Sequence, residues 1–422
     1  MNFLNTLFGF LFIINSFGFA QDELLQSLIN DARKNNLQLH AFHHQIESER
    51  IKIDQATAWE APQIGVEFYQ TPIRSFPLPM RDGMETDYFI QQTIPWPGKL
   101  NAMSKAVENS TRMSEENYRV LEQQIIKDLK YAYYELFFIR QKIRVNLENL
   151  KWIESLQETI ESQITIGRSK PQDLLRLHIE SAKLQAETAN LRRDERTAEV
   201  MIHTLLNRDV SGSVRTTDSL ETVIPLWSAD ELIPIALENR PELHSMNFNL
   251  NMFRAEQTSA KKEFYPDIML KTVYKNMSNT SKDFWSFMVG INLPFAPWSK
   301  GKYDGRVLES EEHILHAEKE IDNMRNMIAY DVRKTLSSLE NYRSMTALYR
   351  DVTIPQYEQT LKLLLVEYQS GKLDFGMIVD TARMLLIAKL DYQMAKMNCM
   401  LALADLEKAV GLSAFEINQR LQ

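Results

Sequence analysis

With 422 residues and only 13 glycines and 14 prolines to punctuate them, the chain is expected to form long uninterrupted elements. A net charge of −8 at pH 7, without a Lys and Arg cluster, excludes a phosphate-binding surface, so no nucleic acid partner is expected. One cysteine, Cys399, excludes an intramolecular disulfide framework and any paired-cysteine zinc site.

Residues 1–20 carry no charge, hold an apolar run from Leu7 to Ile14, and end in the small residues Gly18 and Ala20. They read as a secretory signal cut after Ala20, with a short membrane anchor as the alternative. After residue 20 no stretch approaches the roughly 18 consecutive apolar residues that a membrane-crossing helix needs. An exported chain that spans a membrane must then do so with β-strands.

Residues 21–229 read as a first structural repeat. Helical apolar spacing over 22–58 stops short of Pro62. A β-hairpin is expected over 62–94: Ile64, Val66 and Phe68 alternate with Gly65, Glu67 and Tyr69, and 86–94 return with a less regular pattern. Behind Pro97-Gly98, no Gly or Pro interrupts Lys99 to Ile166, room for a helix of about 100 Å at 1.5 Å per residue. The turn Gly167-Arg168-Ser169-Lys170-Pro171 reverses the chain, and a returning helix fills Gln172 to Asn207.

Residues 230–422 repeat the series. A helix over 230–262 precedes Pro266, a hairpin is expected over 266–294, and a helix from Arg306 reaches a second turn, 371–376, before returning from Met377 to Val410. Pro355 interrupts the second descent where the first has Lys151, which predicts a kink or a local 3₁₀ turn. Three landmarks fix the repeat. Asn239-Arg240-Pro241-Glu242-Leu243-His244 follows Asn35-Asn36-Leu37-Gln38-Leu39-His40 at 239 − 35 = 204, Pro266 follows Pro62 at 204, and Gly371 follows Gly167 at 204. Leu150, Ile153, Leu156 and Ile160, and later Leu361, Leu364, Leu365 and Tyr368, make heptad-like stripes that pack helices along their length.

The strands separate a membrane duct from a soluble coiled coil. From 284 to 293, Trp285, Phe287, Val289, Ile291 and Leu293 share one face, against Ser286, Gly290 and Asn292 with Met288 on the other. In the preceding run Lys271 and Lys275 oppose Ile268, Leu270 and Tyr274. One apolar and one small, polar face suit a barrel wall between lipid and a water-filled lumen. Four strands are too few to close such a wall, and an open edge in lipid would leave unpaired backbone groups at several kcal/mol each. Oligomerisation follows, and three copies would supply 3 × 4 = 12 strands.

Other chemistry is weaker. His40 with His43 or His44 shares a helix face, but no carboxylate or cysteine completes a metal set, and surface histidines are the plainer reading. Met394, Met397 and Met400 with Cys399 form a soft-ligand cluster, against the plainer reading of a packed helix stripe. No nucleophile elbow, Gly-rich phosphate loop or HExxH motif is present, so neither an enzyme nor a cofactor is expected.

Several motifs together resemble the TolC outer-membrane efflux family, including its CzcC and CusC heavy-metal branch, over nearly all of the chain after residue 20. They are Gln91-Gln92-Thr93-Ile94-Pro95-Trp96-Pro97-Gly98-Lys99 with its second copy from Asn292-Leu293-Pro294-Phe295 to Gly301-Lys302, the Asn239-Arg240-Pro241-Glu242-Leu243 box, and Tyr368-Gln369-Ser370-Gly371. The resemblance implies a mostly helical fold with β: long antiparallel helical hairpins form an α-barrel, and four strands per protomer join a trimeric twelve-stranded barrel. It implies a homotrimer in outer-membrane lipid with a large periplasmic portion, serving a periplasmic adaptor and an inner-membrane pump.

In that family the two helical turns meet the adaptor, here through Gly167, Arg168, Ser169, Gly371, Lys372 and Leu373. Asp173 and Tyr368 match the family's hydrogen-bonded lock, whereas its arginine position is Leu373, which leaves a Tyr368 to Asp173 bond as the expected contact. Asp380 matches one aspartate of the entrance constriction and Met377 replaces the other, so one ring of carboxylates is implied, favouring cations. The alternative for both aspartates is ordinary solvated helix surface. A soluble periplasmic coiled-coil adaptor and a diffusion porin are the competing functions, the first without the lipid-facing strands, the second without the long helices.

Overall fold

The computed structural model describes residues 23–75, 83–167, 169–217, 225–277, 282–369 and 374–421. The expected signal over 1–20 and the turn residues Arg168, Gly371, Lys372 and Leu373 lie outside them.

Helices α1 (Glu23–Asn35) and α2 (Leu37–Thr57) precede strands β1 (Gln63–Tyr69) and β2 (Glu85–Ile94), and the hairpin of α3 (Lys99–Thr165) and α4 (Pro171–Leu205) follows. The second series is α5 (Ala229–Asn239), α6 (Pro241–Lys262), β3 (Ile268–Met277), β4 (Phe284–Ile291), α7 (Lys300–Leu348), α8 (Ile354–Gln369) and α9 (Phe375–Val410), closed by α10 (Ala414–Leu421). The 204-residue offset is kept at the starts of α2 and α6 (241 − 37), the ends of α3 and α8 (369 − 165), and the starts of α4 and α9 (375 − 171).

The helix expected over 22–58 is broken at Asn36, which is buried and donates its Nδ2 to the Leu205 carbonyl at 2.9 Å. The second copy breaks at Arg240, because Pro241 lacks an N–H and sits at the first position of α6. Helix α7 starts at Lys300, ahead of the expected Arg306, with Gly301 and Gly305 inside its first turns. Before Pro355 the local distortion is a π turn over Tyr349–Thr353, not a 3₁₀ turn. The Ile354 N–H reaches back five residues to the Tyr349 carbonyl, widening the helix where the proline ring would clash.

Two compact units each draw on both repeats. In the one made of residues 37–123 and 236–331, the four strands form one antiparallel sheet in the order β1-β2-β3-β4, so the repeats join at the β2 to β3 pairing. Helices α2 and α6 flank the long helices there: Arg50 bonds Glu115 at 2.6 Å, Ser245 bonds Asn117 at 2.7 Å, and the Phe253 ring stacks on His313 at 5.1 Å. The buried Arg240 guanidinium clamps Glu242 at 3.0 Å and Asp331 at 2.9 Å.

The other unit comprises 23–36, 124–235 and 332–421. Its core is rich in aromatics from α3, with Tyr133, Phe137 and Phe138 fully buried. Lys130 pairs with Glu407 at 2.5 Å, and Glu407 also accepts the Ala414 N–H at 2.8 Å, tying α10 to α3 through one carboxylate. Arg140 holds Glu195 and Glu199 at 2.7 and 2.8 Å and bonds the Val214 carbonyl, which fastens the segment after α4 to the hairpin. Among the described residues, no helix is long and apolar enough to cross a membrane.

Candidate functional site

The sheet is the first site. Its register aligns Ile64 with Ile90, Ile90 with Thr272, and Thr272 with Phe287, and aligns Val66 through Tyr88 and Tyr274 with Trp285. One face therefore collects Ile64, Val66, Tyr88, Ile90, Leu270 and the odd-numbered residues of β4, most of them exposed. The residues that alternate with them form a charged face. Glu67 lies opposite Asp87, and Asp87 opposite Lys275. Lys275 pairs with Glu85 at 2.7 Å and Asp87 at 3.1 Å, and Lys271 stands 4.1 Å over the Phe89 ring. Gly65 leaves room for its cross-strand partner: a Cβ would lie 2.4 Å from the Phe89 ring, which would have to move.

A wall with water on one side and hydrocarbon on the other is stable only in this arrangement, since ionic side chains in lipid cost several kcal/mol. The pairing also assigns 86–94, whose pattern is weak in sequence: Tyr88, Ile90 and Ile94 share the apolar side, Asp87, Gln91 and Thr93 the charged one. Among the described residues, the outer strands β1 and β4 each keep one edge unpaired.

The junction behind the strands is held by Asp267. Its Oδ1 accepts the Lys99 ammonium at 2.7 Å and the Trp96 N–H at 2.9 Å, and its own N–H donates to Asn292 at 2.6 Å. The Asp267 carboxylate thus holds the entry of the first helical hairpin, and the backbone N–H of the same residue ties it to the end of β4. Burial alone would raise its pKa, but Lys99 and the Trp96 N–H outweigh that and hold it below the usual carboxylate range.

The helical turns are the second site. Gly167 adopts φ +72°, the left-handed conformation that lets α3 end and the chain turn back. Asp173, buried, accepts the Lys170 N–H at 3.3 Å and so caps its own helix. Tyr368 Oη meets Ser169 Oγ at 2.7 Å, and Ser169 donates onward to Gln163 at 2.8 Å. Either hydroxyl can be the donor between Tyr368 and Ser169. The structure thus brings Asp173 and Tyr368 into one neighbourhood but gives the tyrosine Ser169 as its partner. Burial, then the nearby Asp173 and Asp374 carboxylates, push the Tyr368 phenol up, outweighing the opposing effect of the Ser169 bond.

Nothing in the residue types around Ser169 singled it out as the hydroxyl that bridges the hairpins. Tyr368 also packs on the buried Phe375 ring at 5.3 Å, within an apolar cluster that includes Leu150, Ile153, Leu177 and Ile378. Asp380 stands on the surface of α9, paired with Arg383 at 2.9 Å.

His40, His43 and His44 are exposed on α2. Met400 and Cys399 are buried in α9 while Met394 is exposed, and burial pushes the Cys399 thiol up to about 11. Among the described residues, no group of three or more His, Cys, Asp or Glu is placed to hold a metal ion.

Comparison with known proteins follows this geometry. The family model described as outer membrane efflux protein matches twice, over residues 28–208 and 232–412, two spans 232 − 28 = 204 residues apart. The chain is 21% identical over 391 residues to the probable outer membrane lipoprotein SilC of Salmonella typhimurium, covering 87% of this chain and 81% of that protein. It is 18% identical over 295 residues to the cobalt-zinc-cadmium resistance protein CzcC of Cupriavidus metallidurans, covering 70% and 69%. Crystal structures of CusC superpose with a TM-score of 0.77 at 16% identity, covering 94% of each chain.

Proposed function

Because this chain belongs to the outer membrane efflux protein family, we propose that its sheet and helical turns are the wall and the gate of a homotrimeric conduit. The chain is an exit duct of the outer membrane. The single observation that carries the reading is the two-faced sheet, with large apolar residues from all four strands on one side and the charged residues on the other. Three copies bring 3 × 4 = 12 strands, and pairing β1 of one copy with β4 of the next leaves no edge in lipid. Lys275, Glu85 and Asp87 then face the water-filled lumen.

The long hairpins extend the tunnel through the periplasm to the turns at 167–171 and 371–376, where a periplasmic adaptor and an inner-membrane pump dock. At that end the Tyr368 to Ser169 bond ties one hairpin to the other, and opening requires that it break. Asp380 contributes one ring of carboxylates to the entrance. Its pairing with Arg383 moderates the ring, so cation preference there is weaker than three isolated carboxylates would give. The duct supplies the path, and the pump selects the cargo.

The test is fractionation followed by planar-bilayer recording. The protein is expected with the outer membrane, and the reconstituted trimer is expected to conduct ions and to be blocked by divalent cations. Block should weaken in Asp380→Asn and strengthen in Arg383→Gln. Recovery among soluble periplasmic proteins, without conductance, would instead favour the coiled-coil adaptor.

A further inference from the structure

The two repeats differ most at one level of the helical hairpins. The π turn at Tyr349–Thr353 corresponds, at the 204-residue offset, to residues 145–149, where α3 runs on as an unbroken α-helix. Tyr349 stands 369 − 349 = 20 residues from the end of α8, and Asn146 stands 165 − 146 = 19 from the end of α3. Thr188 lies 188 − 171 = 17 residues from the start of α4, and Gln393 lies 393 − 375 = 18 from the start of α9. All four are therefore about 25–30 Å from the turns at 1.5 Å per residue.

The apolar core is interrupted at this level. Asn146 is fully buried, yet neither the nitrogen nor the oxygen of its side-chain amide has a hydrogen-bond partner, and the buried Gln393 Oε1 has none either. Thr188, also buried, turns its hydroxyl back to the Leu184 carbonyl at 2.8 Å, a contact that bends helices. The cluster on the turn side, with Leu150, Leu184, Leu361 and Ala382 among its buried members, stops here, and the buried aromatics Tyr133, Phe137 and Phe138 lie beyond. A bend at this level therefore parts little apolar surface and breaks no bond of either amide.

The second hairpin is the one built to bend. Pro355 offers no N–H to the Asp351 carbonyl, and the π turn before it holds α8 by longer-range bonds than those of the α-helix. Tyr349 donates to Asp391 at 3.3 Å and Lys389 pairs with Glu358 at 2.7 Å, so α8 and α9 are tied together at the turn and just beyond it.

We propose that the π turn at Tyr349–Thr353 is a hinge: the α8–α9 pair bends there while α3 and α4 stay straight, which lifts the Tyr368 hydroxyl off Ser169 as the entrance opens. From Thr353 to Gln369 the helix rises about 24 Å, so a bend of roughly 10° carries its end about 4 Å. That displacement exceeds what the 2.7 Å bond between the hydroxyls tolerates. The inference rests on the reading of the turns as the gate of a trimeric conduit.

The experiment uses the full chain reconstituted in bilayers, with a nitroxide at Met377→Cys near the turns or, separately, at Met345→Cys on the far side of the hinge, each in a Cys399→Ala background. Dipolar coupling between subunits gives the separation at each level, and Tyr368→Phe releases the bond to Ser169. Expected is a separation that lengthens by roughly 4 Å or more at 377 and holds at 345, with the lengthening reversed by Pro355→Ala. Lengthening at both positions, or lengthening at 377 that survives Pro355→Ala, overturns the hinge alone. Labels without coupling at either position, from a protein that has no subunit neighbours, overturn the conduit itself.

Conductance supplies a second readout. Pro355→Ala and Asn146→Leu, the latter carrying the apolar core through the level, should each lower the open probability of Tyr368→Phe channels by about two- to tenfold, the worth of one hydrogen bond. Unchanged opening in Pro355→Ala overturns the hinge, and a raised melting temperature with unchanged opening in Asn146→Leu overturns the part assigned to the polar level.

Discussion

Substituting Phe287 by Lys puts the two-faced sheet to a direct energetic test, because its sign depends on what covers the apolar face. Phe287 is 78% exposed in the protomer and lies opposite Thr272 near the middle of β4. If lipid covers it, the change forfeits about 1.5–3 kcal/mol of aromatic burial and adds about 2–4 kcal/mol for a cation near the midplane. The sum is roughly 3.5–7 kcal/mol per subunit. Its neighbour Met288, on the charged face opposite Lys271, then meets lumen water, so the uncharged polar change Met288→Gln should stay within about 0.5 kcal/mol. The assay is urea unfolding of bilayer-reconstituted protein, with the heat-dependent gel mobility of the folded form as a second probe. The reasoning is refuted if both variants unfold with the wild type, since a lysine replacing an already hydrated phenylalanine costs little.

Three further outcomes follow from the geometry. Asp267→Asn should lower stability at pH 7 by about 1.5–3 kcal/mol, through loss of charge-assisted bonds to Lys99 and the Trp96 N–H. Because the folded pKa is depressed, that stabilisation is present above the unfolded value near 3.9 and lost as pH falls through the folded one. The melting-temperature gap between variant and wild type should therefore close in acid; a gap independent of pH would show that the charge is irrelevant. Gly65→Ala should destabilise by about 1–3 kcal/mol, as the Phe89 ring must yield to the new methyl, and Phe89→Leu should relieve it in a double-mutant cycle. Tyr368→Phe and Ser169→Ala should raise the open probability of reconstituted channels similarly, each removing a bond of about 0.5–1.5 kcal/mol, with little further effect in combination. Independent, additive effects would place the two hydroxyls in separate contacts.

The repeat and the long helices were legible because they depend on local rules. Sixty-eight positions from Lys99 to Ile166 without Gly or Pro leave few alternatives to helix, and a 204-residue offset needs only matching landmarks. Strand β4 was equally plain, since each of its odd positions is large and apolar. Strand β2 was not: Phe89 sits on the charged face, where it covers Gly65 and receives Lys271, so a cross-strand contact overrides the alternation.

The break at Asn36 depends on the Leu205 carbonyl 169 residues away, beyond the reach of local patterning. The start of α7 was misplaced because glycines read as breakers, although Gly301 and Gly305 are carried inside the helix. At the turns, the family resemblance led to the expectation of a Tyr368 to Asp173 bond, whereas Asp173 satisfies its own helix end and Ser169 meets the tyrosine.

The claim on which the account stands is that one chain supplies only part of a wall. Native mass measurement of the detergent-extracted protein, taken before and after the heating step that unfolds the barrel, tests it most directly. The account predicts a complex of three chains that yields single chains only on unfolding, whereas a folded, stable single chain with both sheet edges protected from hydrogen exchange would contradict it.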